Sequence, residues 1–451
     1  MGETPTLAKP DRLDAVDMLR GLVMVIMALD HVRDFWSNRI YLEVTDFETT
    51  TAALFLTRWI THYCAPTFIF LAGTGAYLAG MRGKSKTELA WFLFTRGLWL
   101  AFFEVVINRF LWMFNFDFLQ HGAGVFWAIG LSMVVLSWLV YLPTPVVTIF
   151  GVLMILLHNM LDGLTPARVH MPDWLWAILH NPGGGTFWKC VAPPGDLKLW
   201  NCLFGPRPTG PPELRDVTFG TGYCLIPWLG VMAAGYGFGS LLRMDRAVRR
   251  KCLFHLGLML MLAFVVLRLA NVYGDPRPWV VTKSPIVINS FDDVMRLDQL
   301  RAEPRPPSNL FTALSCLNCT KYPPSLLYLL MTLGPAIMGL ALFDRPLGPL
   351  ARPLITFGRV PLFFYLLHVP LIHGGAVLLD IIRFGKSPQL ADGPWAVSIE
   401  AIKKGDISPD YGVSLPVVYL LWIAAVVILY WPCRWWAGVK QRHRHWLLSY
   451  L

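Results

Sequence analysis

Charged residues are scarce in this 451-residue chain, where Asp, Glu, Lys and Arg make up 15% of the sequence. An ordinary soluble domain carries about 25% charged residues. Hydrophobic residues make up 55% of the chain, and so little polar surface cannot cover two or three soluble domains. These values exclude an ordinary soluble enzyme, and the high apolar content also excludes a disordered chain.

Apolar runs recur along the whole chain, and most are near the 17–25 residues that a helix needs to cross a bilayer. We predict ten such runs, at about 18–36, 52–81, 90–113, 124–141, 145–161, 219–242, 252–270, 325–343, 353–378 and 414–433. The pattern predicts an all-α polytopic membrane protein with about ten transmembrane helices. We expect residues 1–451 to form a single domain embedded in the lipid bilayer.

The basic residues indicate the orientation of these helices. On one side of the membrane the connecting segments hold 16 Lys and Arg in 64 residues, and on the other 16 in 171 residues. The positive-inside rule therefore places both termini in the cytoplasm. The same rule explains the net charge of +10, because the basic residues set the orientation of the helices in the membrane. We therefore expect no nucleic-acid partner. The long outer segments 162–218, 271–324 and 379–413 are predicted to form an extracytoplasmic cap.

Four of the eight cysteines lie in these outer segments, where disulfides can form: Cys190, Cys202, Cys316 and Cys319. Four cysteines allow three connectivities, and the sequence does not choose among them. Cys316 and Cys319 form a CxxC pair that suits zinc or redox chemistry as well as a structural disulfide. A disulfide is favoured because no second CxxC is nearby, and we predict no metal site.

Buried charge is concentrated on the first predicted helix. Arg20 and His31 are eleven residues apart, so they share one helix face and lie roughly 16 Å apart along the axis. Asp34 is one turn beyond His31, and a carboxylate beside an imidazole fixes its tautomer and raises its basicity. The spacing suits a cytosolic anion held by Arg20 and a general base at His31. A structural polar network with a basic membrane anchor is the alternative.

Three other helices carry polar pairs one turn apart. Arg58 precedes His62 by four residues, Glu104 precedes Asn108 by four, and Tyr365 precedes His368 by three. Ionisable residues inside a membrane are functional candidates, and any of these side chains is suited to line a substrate path. An interhelical hydrogen bond is the structural alternative for each histidine.

Five stretches resemble a known family of membrane proteins. They are Leu13–Leu22, Leu29–His31, Thr61–Gly73, Lys321–Leu326 and Gly358–His368. The chain is similar there to the heparan-α-glucosaminide N-acetyltransferase catalytic-domain-like membrane proteins. More distantly it resembles the acyltransferase-three membrane proteins, whose first helix has an arginine, ten residues and then a histidine.

The resemblance implies about ten helices, cytosolic acetyl-CoA or another acyl-CoA as donor, and transfer to a carbohydrate across the membrane. It implies that Arg20 contacts CoA and that His31 is the catalytic base. In the lysosomal enzyme of this family the reactive histidine lies between the first two helices. Residues 37–61 contain no histidine here, so we expect direct transfer rather than an acetyl-histidine intermediate.

These inferences define the predicted site. The catalytic set is Asp30, His31, Asp34 and His62, and the set that binds the cofactor acyl-CoA is Arg20, Arg58, Arg359, Tyr365 and His368. The predicted acceptor is a carbohydrate or glycolipid, the predicted location is the bacterial inner membrane, and a homodimer is included among the expected partners. The alternative function is a proton-coupled transporter or a lipid-binding membrane protein that uses the same buried charges.

Overall fold

Helices dominate the computed structural model, which describes residues 13–181, 183–192, 213–345 and 348–443. From the N-terminus the helices are α1 (Asp14–Trp36), α2 (Ala52–Thr61), α3 (Cys64–Gly80), α4 (Lys86–Phe102), a π-helix (Phe103–Asn108), α5 (Arg109–Met113), α6 (Val125–Leu139), α7 (Thr144–Leu157) and α8 (Asp173–Leu179). Next come α9 (Leu225–Phe238), α10 (Arg246–Ala270), α11 (Phe291–Met295), α12 (Leu297–Ala302), α13 (Asn309–Cys316) and α14 (Leu326–Phe343). The last are α15 (Arg352–Arg359), α16 (Pro361–Phe384), α17 (Gln389–Asp392), α18 (Ile399–Lys403) and α19 (Leu415–Arg442). Short 3₁₀ turns cover His158–Leu161, Leu241–Arg243, Pro349–Ala351 and Gly393–Ala396.

Within the described residues, seven helices are long and apolar enough to cross a membrane. They are Lys86–Met113, Thr144–Leu161, Leu225–Arg243, Arg246–Ala270, Leu326–Phe343, Pro361–Phe384 and Leu415–Arg442. These confirm an integral membrane architecture and correspond to seven of the ten predicted runs. The 23 residues of α1 suffice in length, but six of them are charged, and α6 has only 15 residues. The number of ten spans therefore stays a prediction, as does the orientation of the termini.

Two of the predicted runs are divided in the structure. The second run forms α2 and α3, which meet at His62 and Tyr63. The ninth forms α15 and α16, with Val360 at φ −132° and ψ 50° between them. Pro361 explains the second break, because proline lacks an N–H and disfavours the helical conformation of the preceding residue.

The expectation of an all-α fold is wrong in one respect, because the described residues include a small mixed sheet. Strand β1 (Gln120–Ala123) pairs in parallel with β3 (Glu213–Thr221), and β3 pairs antiparallel with β2 (Gly183–Ala192). The strand order is β1-β3-β2. All three strands come from predicted outer segments or the residues next to them, where helical periodicity is absent.

The helix α1 is central, since it packs against α2, α3, α14, α15, α16 and α19. Glycines allow its closest approach to α15. A Cβ added to Gly21 would lie 1.8 Å from the Leu354 carbonyl oxygen, and one added to Gly358 would lie 1.8 Å from the Asp17 oxygen. A side chain at either position would require α1 and α15 to move apart, so these glycines fix the N-terminal half of α1 against α15.

The outer cysteines are only partly described. Cys202 and the side chain of Cys190 lie outside the described residues. Cys316 and Cys319 are both free thiols, so the structure does not pair them with each other. Burial raises the pKa of the Cys319 thiol to about 12, and a thiol that stays protonated is a poor nucleophile and metal ligand.

Candidate functional site

A cavity of about 1100 Å³ opens beside the C-terminal half of α1. Small-molecule sites usually enclose about 300–1,000 Å³, so this space is ample for a substrate. The polar residues of its lining named below come from six separate parts of the chain. The lining includes Asp30, His31, Arg33, Asp34, Arg58, Glu104, Asn108, Tyr223, Lys321, Tyr322 and Tyr365.

The side chain of His31 is bound to a second histidine. Its Nδ1 lies 2.7 Å from Nε2 of His368, and the two rings stack with centroids 4.9 Å apart. His368 Nδ1 lies 3.1 Å from the carbonyl oxygen of Phe364. Both histidines are buried, His31 at 9% exposure and His368 at 0%.

These contacts assign the tautomers of both rings. A carbonyl oxygen only accepts, so His368 Nδ1 carries a proton and His368 Nε2 holds a lone pair. His31 Nδ1 must then donate to that lone pair, which leaves the lone pair of His31 on Nε2. Because His31 lines the cavity and its bond to a described residue uses Nδ1, Nε2 is the atom available to a substrate.

Aromatic side chains hold this pair in place. The Trp112 ring meets His31 edge to face, with centroids 4.8 Å apart, and Tyr365 does so at 5.9 Å. Trp112 Nε1 donates to the Tyr365 hydroxyl over 3.0 Å. The Tyr365 oxygen accepts that bond, so its own hydrogen remains able to donate toward a ligand.

Asp30 is the centre of a second buried network. Its Oδ2 is 2.7 Å from Arg58 Nη1, its Oδ1 is 2.8 Å from Arg33 Nη2, and the Thr61 hydroxyl donates to it over 2.9 Å. A carboxylate that already accepts from three groups is a poor proton acceptor. The structure shows Asp30 as an anchor for two arginines, and its catalytic role stays a prediction.

Asp34 binds a different residue from the one that the sequence predicts. We expected it to orient His31, but its Oδ1 accepts from Arg33 Nη2 at 2.5 Å, and His368 occupies the position beside the His31 ring. Spacing along α1 correctly brought Asp34 near His31. It carried no information about a residue from α16.

His62 lies away from the other predicted catalytic residues that line the cavity. His62 follows α2, its carbonyl accepts from the Tyr328 hydroxyl over 2.8 Å, and its ring packs on Tyr328 at 5.4 Å. His62 is not among the residues that line the cavity. This position gives no support to a direct catalytic role.

The predicted CoA-binding residues fall into two groups. Arg58, Tyr365 and His368 lie at or behind the cavity, whereas Arg20 and Arg359 lie at the N-terminal end of α1. Arg20 Nη1 donates to Asp17 Oδ1 at 3.3 Å and to the Gly358 oxygen at 3.2 Å. Arg359 Nε is 3.7 Å from the other oxygen of Asp17. The structure thus brings Arg20 and Arg359 together, at the opposite end of α1 from Arg58.

The π-helix contributes a carboxylate that the predicted site omits. Asn108 Nδ2 donates to Glu104 Oε1 over 2.7 Å, and the backbone N–H of Phe126 donates to Oε2 over 2.9 Å. The spacing of four residues predicts the Glu104–Asn108 pair. The π turn, a feature often found at functional sites, and the bond to the start of α6 have no signal in the sequence.

A basic and aromatic group lies elsewhere on the cavity wall. Lys321 Nζ is 5.0 Å from the ring of Tyr322 and 5.7 Å from that of Tyr223. Burial raises the pKa of Tyr322, but the nearby charges of Lys321 and Arg58 outweigh that effect and leave it below its ordinary value. Lys321 and Tyr322 belong to a stretch that carries the family resemblance, yet nothing in their pattern predicts that they line the cavity.

The described residues thus form a largely helical protein, with helices long and apolar enough to cross a membrane and a buried histidine pair, the His31–His368 dyad, beside an internal cavity. Residues 12–186 match the family model described as "Heparan-alpha-glucosaminide N-acetyltransferase, catalytic". This match confirms the resemblance over that segment, so the chain carries a heparan-α-glucosaminide N-acetyltransferase catalytic-domain-like region. The match points to an N-acetyltransferase-like membrane enzyme. A comparison with curated proteins found no match.

The matched segment contains only part of the cavity lining. Asp30, His31, Arg58 and Glu104 lie inside residues 12–186, while His368 and Lys321 lie outside them. The second half of the dyad is therefore a feature that the structure adds to the family match.

Proposed function

We propose that this protein moves an acetyl or other acyl group from cytosolic acyl-CoA to a carbohydrate-type acceptor on the other side of the membrane. The observation that carries the proposal is the His31–His368 dyad, in which His31 lines the cavity and its bond to His368 uses Nδ1 and not Nε2. A neutral imidazole with a free lone pair is the commonest general base in enzymes. The family match supports acyl transfer as the reaction class.

His31 acts as the base in direct transfer. Its Nε2 takes the proton of the acceptor's hydroxyl or amine as the acceptor's O or N forms a bond to the thioester carbonyl carbon. The C–S bond then breaks, and the same proton passes from His31 to the CoA thiolate. His368 is a positioning residue, because its Nε2 accepts from His31 Nδ1 and so keeps the base in the required tautomer.

Tyr365 is suited to stabilise the charge that develops on the carbonyl oxygen. Its oxygen accepts from Trp112, and its side chain also hydrogen-bonds Asn108, so these contacts hold the hydroxyl at the cavity wall. Donors aimed at a developing oxyanion contribute strongly in a site that excludes water. Of the two side chains suited to this role by residue type, Tyr365 lines the cavity and His62 does not.

The donor occupies the N-terminal half of α1 in this proposal. Arg20 and Arg359 lie close together there and hold the nucleotide phosphates, since guanidinium groups bind phosphate well. The loop bases Arg82, Lys84 and Lys86 add positive charge on the same side. The thioester then extends along α1 toward His31, roughly 16 Å further on. We place the N-terminus in the cytoplasm, and the protein in a bacterial inner membrane.

One assay separates this proposal from a transporter. Purified protein in proteoliposomes is supplied with acetyl-CoA on the Arg20 side and a panel of amino and neutral sugars on the other. The proposal predicts acceptor-dependent release of free CoA thiol and an acetylated sugar. Proton-coupled sugar flux with no thiol release would contradict it and favour the transporter.

A further inference from the structure

We propose that the group formed by Arg58, Tyr223, Lys321 and Tyr322 is a subsite for an anionic group, a phosphate or a carboxylate, on the acceptor. This inference rests on the proposed function and names the class of acceptor. It starts from the fact that all four side chains line the cavity that contains His31. They come from α2, from the segment before α9, and from the segment before α14.

The first observation is that Lys321 has no carboxylate partner in an ion pair. Its Nζ lies against the Tyr223 and Tyr322 rings and its side chain hydrogen-bonds that of Tyr322, while none of the ion pairs within 4.0 Å in the described part of the chain includes it. An ammonium group in a cavity without a carboxylate partner is electrostatically costly. A ligand that supplies a negative charge removes that cost.

The second observation is that the carboxylates nearest this group are already engaged. Asp30 and Asp34 pair with Arg33 and Arg58. Neither forms an ion pair with Lys321 among the described residues. The other acids of the cavity lining, Glu43, Glu104 and Glu400, make no ion pair with Lys321 among the described residues.

The third observation is a set of donors gathered on one part of the cavity wall. Among the described residues Arg58 hydrogen-bonds Asp30 and Thr61 through Nη1, which leaves the other nitrogens of its guanidinium for a ligand. Tyr322 is 40% exposed because it borders the open cavity, and its ring lies 5.5 Å from that of Tyr223. A guanidinium, an ammonium and two phenol groups form the kind of donor set that binds phosphate or carboxylate oxygens.

The position of this group assigns it to the acceptor. Asp30, which binds Arg58, is next to His31 in α1, whereas Arg20 and Arg359 lie at the other end of that helix. An acceptor whose anionic group binds Lys321 and Arg58 therefore has its reactive hydroxyl or amine within the part of the cavity that holds His31.

Binding measured without any donor tests the subsite. Calorimetry on the full-length protein in nanodiscs compares glucosamine 6-phosphate, glucuronate and glucosamine. We expect at least one anionic sugar to bind about tenfold or more tightly than glucosamine, and the better of the two identifies the preferred anion. Lys321→Met should abolish this difference, and Tyr322→Phe should reduce it while keeping the ring in place.

The matched control is Lys283→Met, an exposed outer lysine whose Nζ contacts the Arg301 carbonyl and which does not line the cavity. It should leave the preference unchanged. Equal binding of all three sugars by the wild type would overturn the subsite, as would equal weakening of all three by Lys321→Met. Weakened acetyl-CoA binding in Lys321→Met would also overturn it, because the group would then serve the donor.

These outcomes are separate from those of the proposed function. Acyl transfer to neutral sugars without any preference for anionic ones would leave the transferase standing and remove the subsite. Selective anion binding that depends on Lys321, in a protein that transfers no acyl group, would do the reverse.

Discussion

His31 Nδ1 and His368 Nε2 are 2.7 Å apart, although 337 residues separate them in the sequence. The carbonyl of Phe364 fixes the proton on His368 Nδ1, and this bond determines the protonation of both rings. Single hydrogen bonds thus link the Phe364 carbonyl to His368 and His368 to His31, and the proposed next link is the substrate. Each of these links can be tested separately.

Removing the base is the first test. In His31→Ala we expect kcat for acyl transfer to fall about 10²- to 10⁴-fold, the usual contribution of a general base, with acetyl-CoA affinity retained. The matched control is His255→Ala, because His255 is exposed on α10, its Nδ1 hydrogen-bonds the Lys251 carbonyl, and it does not line the cavity. Near-normal turnover in a folded His31→Ala protein would exclude His31 as the base.

Changing His368 separates a positioning role from a packing role. His368→Met removes the acceptor for His31 Nδ1 but fills a similar volume, so we expect kcat to fall about tenfold or more and the pH profile of kcat/KM to shift. In His368→Gln the amide oxygen can accept the same bond and should restore part of the activity. Equal loss of activity in both variants, with no shift of the pH profile, would indicate packing alone.

Asp30 should matter for stability more than for the chemical step. In Asp30→Asn the charge that holds Arg33 and Arg58 is lost, and breaking a buried ion pair costs about 3–5 kcal/mol. We therefore expect a clearly lower thermal midpoint. Asp298→Asn is the control, because that carboxylate is 97% exposed and pairs only with Arg301. Unchanged stability with abolished turnover would instead restore the catalytic role that the sequence predicted.

Two glycines test the link between helix packing and donor binding. Gly21→Ala places a Cβ against the Leu354 carbonyl, and overpacking of this kind costs about 1–3 kcal/mol. Because Arg20 and Arg359 depend on this α1–α15 contact, the KM for acetyl-CoA should rise. Gly75→Ala is the control, since its Cβ would meet no atom within 4 Å. Unchanged KM in Gly21→Ala would separate the two arginines from donor binding.

The sequence predicted the helical membrane architecture because apolar length is a local property. It also located Asp30, His31 and Arg58, since charge inside an apolar run is conspicuous. It did not predict the pairing of His31 with His368, because helical spacing describes neighbours on one helix and not contacts between helices. The sequence therefore predicts Asp34 as the partner of His31, whereas in the structure the Asp34 carboxylate binds Arg33.

The outer part of the site was harder to predict for a related reason. Lys321 lies in a segment with no periodic pattern, and only the fold brings it to the same cavity as Arg58. Strands β2 and β3 likewise come from a Gly- and Pro-rich segment whose pairing depends on distant residues. Such long-range contacts need the structure.

The most direct test of the central claim is a density map of the protein with a non-hydrolysable acyl-CoA analogue. We expect the nucleotide phosphates at Arg20 and Arg359, and the carbonyl of the acyl group beside Nε2 of His31. An analogue whose acyl group lies away from the dyad, or whose phosphates occupy the Lys321 side of the cavity, would contradict this claim.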